Sequence, residues 1–229
     1  PHIITLPGMR DGPDNIFESQ TLTGGVREVP TGSRAYSCLG TLFSVGYSGA
    51  SVINRGTIWN ISSDDVGSAI GGYYVNAVDN FGRIISDAPN GNAYGVAVHS
   101  GGSRVHNSGE IFAIAGGSAA AVDHYGPNVE IINSGLIAAY APTGNQTTGV
   151  GQALGVATFN GGYLENRAGG VILAEGRWAT AVLFGRGDLI NPGPHIRNAG
   201  RIEAYTTDPA HESVAIHTGA LTEEFMRLD

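Results

Sequence analysis

Residues 94–115 read YGVAVHSGGSRVHNSGEIFAIA, and the second half of that stretch returns along the chain at a nearly fixed spacing. The returning core is an apolar residue followed by x-Asn-x-Gly-x-Ile. It stands as VINRGTI at 52–58, VDNFGRI at 78–84, VHNSGEI at 105–111 and IINSGLI at 131–137. A longer copy, LENRAGGVI, spans 164–172, and IRNAGRI closes the series at 196–202. The asparagines fall at 54, 80, 107, 133, 166 and 198, in steps of 26, 27, 26, 33 and 32. A period held over most of a chain is the signature of a repeat architecture and overrides any reading made element by element.

The first half of the unit returns as well: GVAVH at 95–99, AAVDH at 120–124, GVATF at 155–159, TAVLF at 180–184 and SVAIH at 213–217. Each repeat thus holds short runs of period two, separated by Gly, Asn and Ser, with no helical period between them. Three short strands per coil is the pattern of a parallel β-helix. There, inward positions stack on themselves about 4.8 Å apart, so one column tends to hold one residue type. Ile58, Ile84, Ile111, Ile137, Ile172 and Ile202 form such a column, an aliphatic ladder filling the bore. The six asparagines form another. Asn suits a left-handed corner, and stacked amides can hydrogen-bond from rung to rung. The Gly two residues on, in register in five of the six copies, suits a bend where a Cβ would clash.

At these motifs the chain resembles the pectin-lyase-like right-handed β-helices. Its Asn-x-Gly-x-Ile spacing is similar to repeats of bacterial autotransporter passengers and secreted adhesins. The resemblance covers roughly residues 42–219 and implies an all-β, single-stranded, right-handed parallel β-helix of six to seven coils. Residues 1–41 are expected to be an N-terminal cap or irregular first coil, and residues 220–229 a C-terminal cap or arm. Both ends of a solenoid expose strand edges and need cover. Near-helical spacing of Leu221, Phe225, Met226 and Leu228 predicts a short amphipathic helix or arm at the second end. The superfamily holds polysaccharide lyases, polygalacturonases, phage tailspikes and non-catalytic passengers, so fold alone does not choose a function.

The unbroken period argues for one domain, and the 36 glycines fall at its corners. Net charge is −8, and all 12 basic residues are Arg, so nucleic acid is not an expected partner. Cys38 stands alone, so no intrachain disulfide forms. No stretch approaches a transmembrane span, and the opening PHIITLPGMRDGPDN lacks the basic and apolar regions of a signal peptide. The expected setting, secreted or cell-surface, therefore requires a signal removed ahead of this stretch or another export route; the remaining alternative is a protein that stays inside the cell. The turn Asp11-Gly12-Pro13-Asp14-Asn15 is the one candidate for a cofactor, calcium, against the plainer reading of a polar turn. No other metal site is expected. Sequons stand at Asn60 and Asn145.

Variable segments at 61–68, 86–92, 142–152 and 206–213 all fall at one corner of the repeat, beside the GVAV strands. Variable loops over a rigid scaffold are the usual place for binding or catalysis. With Val96 and Val98 inward, His99 faces out, and the matching outward positions are Asp123, Phe159, Phe184 and His217. His99 and Asp123 are then adjacent rungs, the carboxylate orienting an imidazole as general base, with His124 and Tyr125 at the next corner. Arg104 joins them as the candidate base or carboxylate clamp. Lyases on this fold use clustered acids for calcium and a Lys or Arg base, as the resemblance implies. This chain has no Lys, and Arg83 stands beside Glu110 one coil above, an expected cross-rung ion pair.

The strand after Gly-x-Ile carries an outward apolar stripe. It comprises Trp59 with Ile61, Ile85, Phe112 with Ile114, Ala138 with Tyr140, and Glu203 with Tyr205. A solvated face would alternate to polar residues, so the stripe asks for a cover. That cover is another subunit, making a homo-oligomer, or the N-terminal segment folded back. Trp59, Ile85, Phe112, Ile114, Tyr140 and Tyr205 are the expected interface set. The reading that results is a non-catalytic β-helix module working through self-association or through a protein or glycan partner, without membrane insertion. The competing reading is a small uronic-acid polysaccharide lyase, less readily a glycoside hydrolase, acting around His99, Asp123, His124 and Arg104.

Overall fold

The computed structural model describes residues 20–38, 40–46, 49–63, 65–143, 151–185, 195–218 and 227–228, and every regular element among them is a β-strand. The first coil holds β1 (Gln20–Leu22), β2 (Gly25–Val29) and β3 (Arg34–Ser37), and the second β4 (Thr41–Val45), β5 (Ala50–Asn54) and β6 (Thr57–Ile61). The third holds β7 (Val66–Gly72), β8 (Val75–Asn80) and β9 (Arg83–Ala88), and the fourth β10 (Asn92–Val98), β11 (Arg104–Asn107) and β12 (Glu110–Ala115). The fifth holds β13 (Ala119–His124), β14 (Glu130–Asn133) and β15 (Leu136–Ala141), and the sixth β16 (Gln152–Thr158), β17 (Tyr163–Asn166) and β18 (Val171–Gly176). The seventh holds β19 (Trp178–Phe184), β20 (His195–Asn198) and β21 (Arg201–Thr206), followed by β22 (Ser213–Thr218) and β23 (Arg227–Leu228).

Every strand pairs in parallel with the strand three places on, giving three sheets of eight, eight and seven strands. Sheet 1 runs from β1 to β22 and carries the GVAV strands; sheet 2 runs from β2 to β23, and its six inner strands, β5, β8, β11, β14, β17 and β20, each end on a ladder asparagine. Sheet 3 runs from β3 to β21 and carries the Gly-x-Ile strands. The chain is a parallel β-solenoid. Its ladders begin at Gln20, inside the segment expected as cap or irregular first coil. They end on β23, inside the segment expected as cap or arm. The turn at 11–15 and residues 221, 225 and 226 lie outside the described residues.

The bore is filled by columns. Ile58, Ile84, Ile111, Ile137 and Ile172 are each fully buried, and Ile202 closes that ladder partly buried. Burying such a side chain contributes roughly 1.5–3 kcal/mol each. Val52, Val78, Val105, Ile131, Leu164 and Ile196 form the facing column from sheet 2.

Beside them runs the amide ladder. The Nδ2 of Asn54 donates to Oδ1 of Asn80 at 2.7 Å, Asn80 to Asn107 at 2.7 Å and Asn107 to Asn133 at 2.8 Å. Asn133 donates to Asn166 at 2.9 Å and Asn166 to Asn198 at 2.8 Å. The same amides also reach a carbonyl of the following coil, as Asn107 does with Leu136 O at 3.1 Å. The expected left-handed backbone is absent at these positions. Among the described residues the one non-glycine with positive φ is Asn128. Asparagine is required here for its side-chain amide, which satisfies buried backbone acceptors.

The corner glycines are set by space. A Cβ on Gly109 would stand 2.0 Å from the carbonyl oxygen of Gly82, and one on Gly135 would stand 2.1 Å from that of Gly109. Each corner thus rests directly on the one before. Gly109→Ala is therefore expected to cost about 2–3 kcal/mol, through forced separation of two coils. Gly102, where positive φ is the only obstacle and the surroundings are open, is the control. Its replacement by Ala costs about 1 kcal/mol. Comparing the thermal unfolding midpoints of the two variants checks this.

The connections from sheet 3 to sheet 1 occupy 38–40, 62–65, 89–91, 116–118, 142–151, 177 and 207–212, so the variable segments fall at one corner of the repeat. Asn60, one of the two sequons, points inward, is fully buried and donates to Gly40 O. It is not open to glycosylation in the folded chain. Asn145 lies outside the described residues.

Candidate functional site

The sequence placed a catalytic group on the outer side of sheet 1, and the register there differs by two residues from the one expected. Val96 pairs with Val122, so Ala97, not His99, stands beside Asp123. On the other side Asp123 meets Ala157. His99 lies level with Tyr125, at the corner that follows β10. The supposed equivalents also shift: Phe184 pairs with Thr158 and is buried inward, and His217 pairs with Leu183. Asp123 and His99 therefore do not form a carboxylate–imidazole pair.

Asp123 is 5% exposed, between two alanines that offer it no donor. Burial pushes its carboxyl up to about 7, and burial first, with the Asp123 charge second, raises the phenols of Tyr94 and Tyr125.

His124 turns inward and is fully buried. Its Nδ1 accepts the backbone N–H of Gly126 at 3.0 Å, so that nitrogen carries no proton. Nε2 therefore holds the hydrogen and donates to Ser103 Oγ at 2.6 Å, which donates on to Ser100 O at 3.1 Å. Burial holds the imidazole down to about 4. Expected at an exposed corner as a catalytic partner, His124 is instead a neutral core residue stitching one corner to the previous one.

The corner itself holds an arrangement the sequence reading missed. Tyr73, His99, Tyr125 and Phe159 stack rung on rung. Centroids are 5.4 Å apart for Tyr73 and His99, 5.0 Å for His99 and Tyr125, and 4.4 Å for Tyr125 and Phe159. The last two pairs are within 11° and 9° of parallel. Burial by its neighbours lowers the His99 pKa. Since each ring covers the next, the stack presents edges and hydroxyls outward. A sugar ring stacking on an aromatic needs an open face, and the interior members have none.

Arg104 is on β11, in sheet 2, where its Nη2 donates to Asp79 Oδ2 at 3.0 Å. Nearby His106 Nε2 lies 2.7 Å from Glu130 Oε1. This is a solvated charge cluster on a face separated from Asp123 by the corner at 99–103. Arg83 and Glu110 form the expected cross-rung pair at 2.6 Å. Among the described residues no three His, Cys, Asp or Glu are grouped to hold a metal ion.

On the outer side of sheet 3 the register aligns Tyr36, Trp59, Ile85, Phe112, Ala138 and Leu173 in one column, and Ile61, Asp87, Ile114, Tyr140, Glu175 and Tyr205 in the next. The centre of the first column is already withdrawn from solvent within the single chain. Ile85, Phe112 and Ala138 are 7%, 5% and 1% exposed and form a second small core with Trp59, Leu136 and Leu173 packed on it. Trp59 meets Tyr36 edge-on at 5.8 Å, and the Arg83 guanidinium lies over Phe112. Ile114, Tyr140 and Tyr205 stay half-buried. Asp87 and Glu175 interrupt the second column, so the stripe is less uniformly apolar than expected.

The signal for the aromatic stack was present in the sequence. Aligning the repeats on Val96, Val122, Val156 and Val182, rather than on the residue before, puts His99, Tyr125 and Phe159 at one position. When the chain is compared with known proteins, no family model, curated protein or solved structure matches it.

Proposed function

We infer that this chain is a non-catalytic β-solenoid module of the pectin-lyase-like kind, secreted or displayed at a cell surface, which works by associating with copies of itself or with a partner. The observation that carries this reading is the dispersal of the acid–base groups. His124 is locked in the core, His99 is sandwiched in an aromatic stack, Arg104 is tied to Asp79 on another sheet, and Asp123 stands between alanines. A proton-transfer reaction needs such groups within hydrogen-bond reach of one reacting atom. A rigid scaffold with one corner of variable loops fits display better than turnover.

One observation favours the competing enzyme reading. A carboxyl protonated near neutrality, as Asp123 is, is what a general acid requires. Incubation with polyuronates, followed by ultraviolet detection of unsaturated ends, decides between them. No product is expected, and sedimentation velocity on the same preparation is expected to show mass rising with concentration. Product formation abolished by Asp123→Asn would establish the enzyme. Failure of both assays would remove the self-association arm and leave partner binding.

A further inference from the structure

The corner between sheets 2 and 3 is built to one pattern, two connecting residues, at 55–56, 81–82, 108–109, 134–135 and 199–200. The exceptions are 30–33, which joins β2 to β3 in the first coil, and 167–170, where four residues connect β17 to β18. There the N–H of Gly170 donates to Arg167 O at 2.9 Å and Gly169 adopts φ of +86°, closing a turn that pushes Ala168 outward. The next coil's corner is short again, so a ledge is left beneath it. The resulting notch has a volume of about 370 Å³ and is lined by Glu165, Arg167, Ala168, Arg197 and Ala199, with the last two ladder asparagines behind.

Its charges are arranged unlike those elsewhere on the solenoid. Arg55, Arg83, Arg104, Arg167, Arg177 and Arg201 each hold a carboxylate at 2.6–3.4 Å. Arg197 stands in register with Glu165, yet among the described residues neither an ion pair nor a hydrogen bond engages its guanidinium. The Glu165 carboxylate is turned to Arg167, whose Nε lies 3.3 Å from Oε1. Arg167 foremost, with Tyr163 and Arg197, holds Glu165 below the usual carboxylate range. Among the described residues the notch therefore keeps one guanidinium whose donors meet no carboxylate, next to an ionised acceptor.

We propose that this notch binds a small organic acid carrying a hydroxyl next to its carboxylate. The carboxylate takes the fork of Arg197, a match of planar donors to planar acceptors. The hydroxyl donates to Glu165. A bare anion finds the same arginine but faces Glu165 without a proton to offer it, so the pairing selects hydroxy acids over simple carboxylates and over sulfate. The size fits, since small-molecule sites begin at about 300 Å³. This goes beyond the association reading and holds whether or not the chain associates; sedimentation of the same sample reports association separately.

The test is an NMR titration of the isotopically labelled full chain with lactate, acetate and sulfate. Lactate is expected to move the backbone amides of Arg167, Ala168, Arg197 and Ala199 saturably, with a dissociation constant of order 1–10 mM, and acetate to bind several-fold more weakly. Arg197→Gln is expected to weaken lactate about tenfold or more while the unfolding midpoint stays put, because the side chain is exposed. Glu165→Gln is expected to reverse the order, weakening lactate and strengthening sulfate. Lactate and acetate acting alike, no saturable movement of these amides, or lactate binding untouched by Arg197→Gln would each overturn the proposal.

Discussion

Asn107→Ala is expected to destabilise the solenoid by about 3–5 kcal/mol, seen as a lower urea midpoint. The substitution removes the donor to Asn133 at 2.8 Å and the acceptor of Asn80 at 2.7 Å. It also strips the Leu136 carbonyl of its 3.1 Å side-chain donor in a region closed to water. Asn80 keeps Glu110 O, and Gly135 N–H still satisfies Asn133 Oδ1, so the loss stops short of the full sum. Asn198, at the exposed end, is the comparison. It accepts from Asn166 and from Gly200 N–H, and losing it is expected to cost about 1 kcal/mol. Equal losses at the two positions would mean that the interior amides contribute no more than a surface bond.

The second large effect is on pH dependence. Asp123→Asn is expected to raise stability by about 4 kcal/mol at about pH 8 and to leave it unchanged at about pH 4. The folded carboxyl titrates at about 7 against an ordinary 3.8, so between those values the folded state holds a proton that the unfolded chain has lost. Stability contributed there is present at low pH and disappears as pH rises through 7. His124 works in the opposite direction. Its folded value is about 4 against 6.5, so its stability is complete above 6.5 and falls away toward 4, by about 3 kcal/mol. Between about pH 4.5 and 6.5 each state holds one proton of the pair, and the wild-type curve is expected to be flat there. Asp123→Asn then exposes the histidine slope, with stability rising across that window. Chemical denaturation in a series of buffers reads both outcomes, and an unchanged pH profile in the variant would refute the buried-carboxyl account.

The coil and its columns were legible because the residues that define them have no substitute. Among the corner residues only glycine fits under the oxygen of Gly82 or Gly109, and a side-chain amide accepts from one rung while its two hydrogens reach both the next rung and a backbone carbonyl. The candidate catalytic group was misplaced for a related reason. In β13 the run Ala119, Ala120, Ala121 has no difference in size between the side chains that face in and those that face out. Such a run gives nothing to fix the register, and a slip of two residues, which keeps Asp123 on the same face, sets it beside His99 instead of Ala97. The aromatic stack was hidden by the same slip. The sheet 3 stripe was found because its outward residues are large, but the burial of Ile85 and Phe112 depends on neighbours a full coil away in sequence. No local pattern reports that.

The amide ladder has one further consequence. All five links run the same way, each Nδ2 pointing to the following coil, so the amide dipoles add as they do in a helix rather than cancelling. The column is a polar wire with two unlike ends. Behind Asn54 the register places Val29, which carries no amide, and the wire starts against hydrocarbon. At the other end Asn198 turns its amide hydrogens outward with no side-chain acceptor among the described residues. Any coil laid on that end must bring an oxygen at the matching place, whereas one laid on the first must bring hydrocarbon. The solenoid thus has a chemical polarity, and joining it end to end sets an amide against a valine.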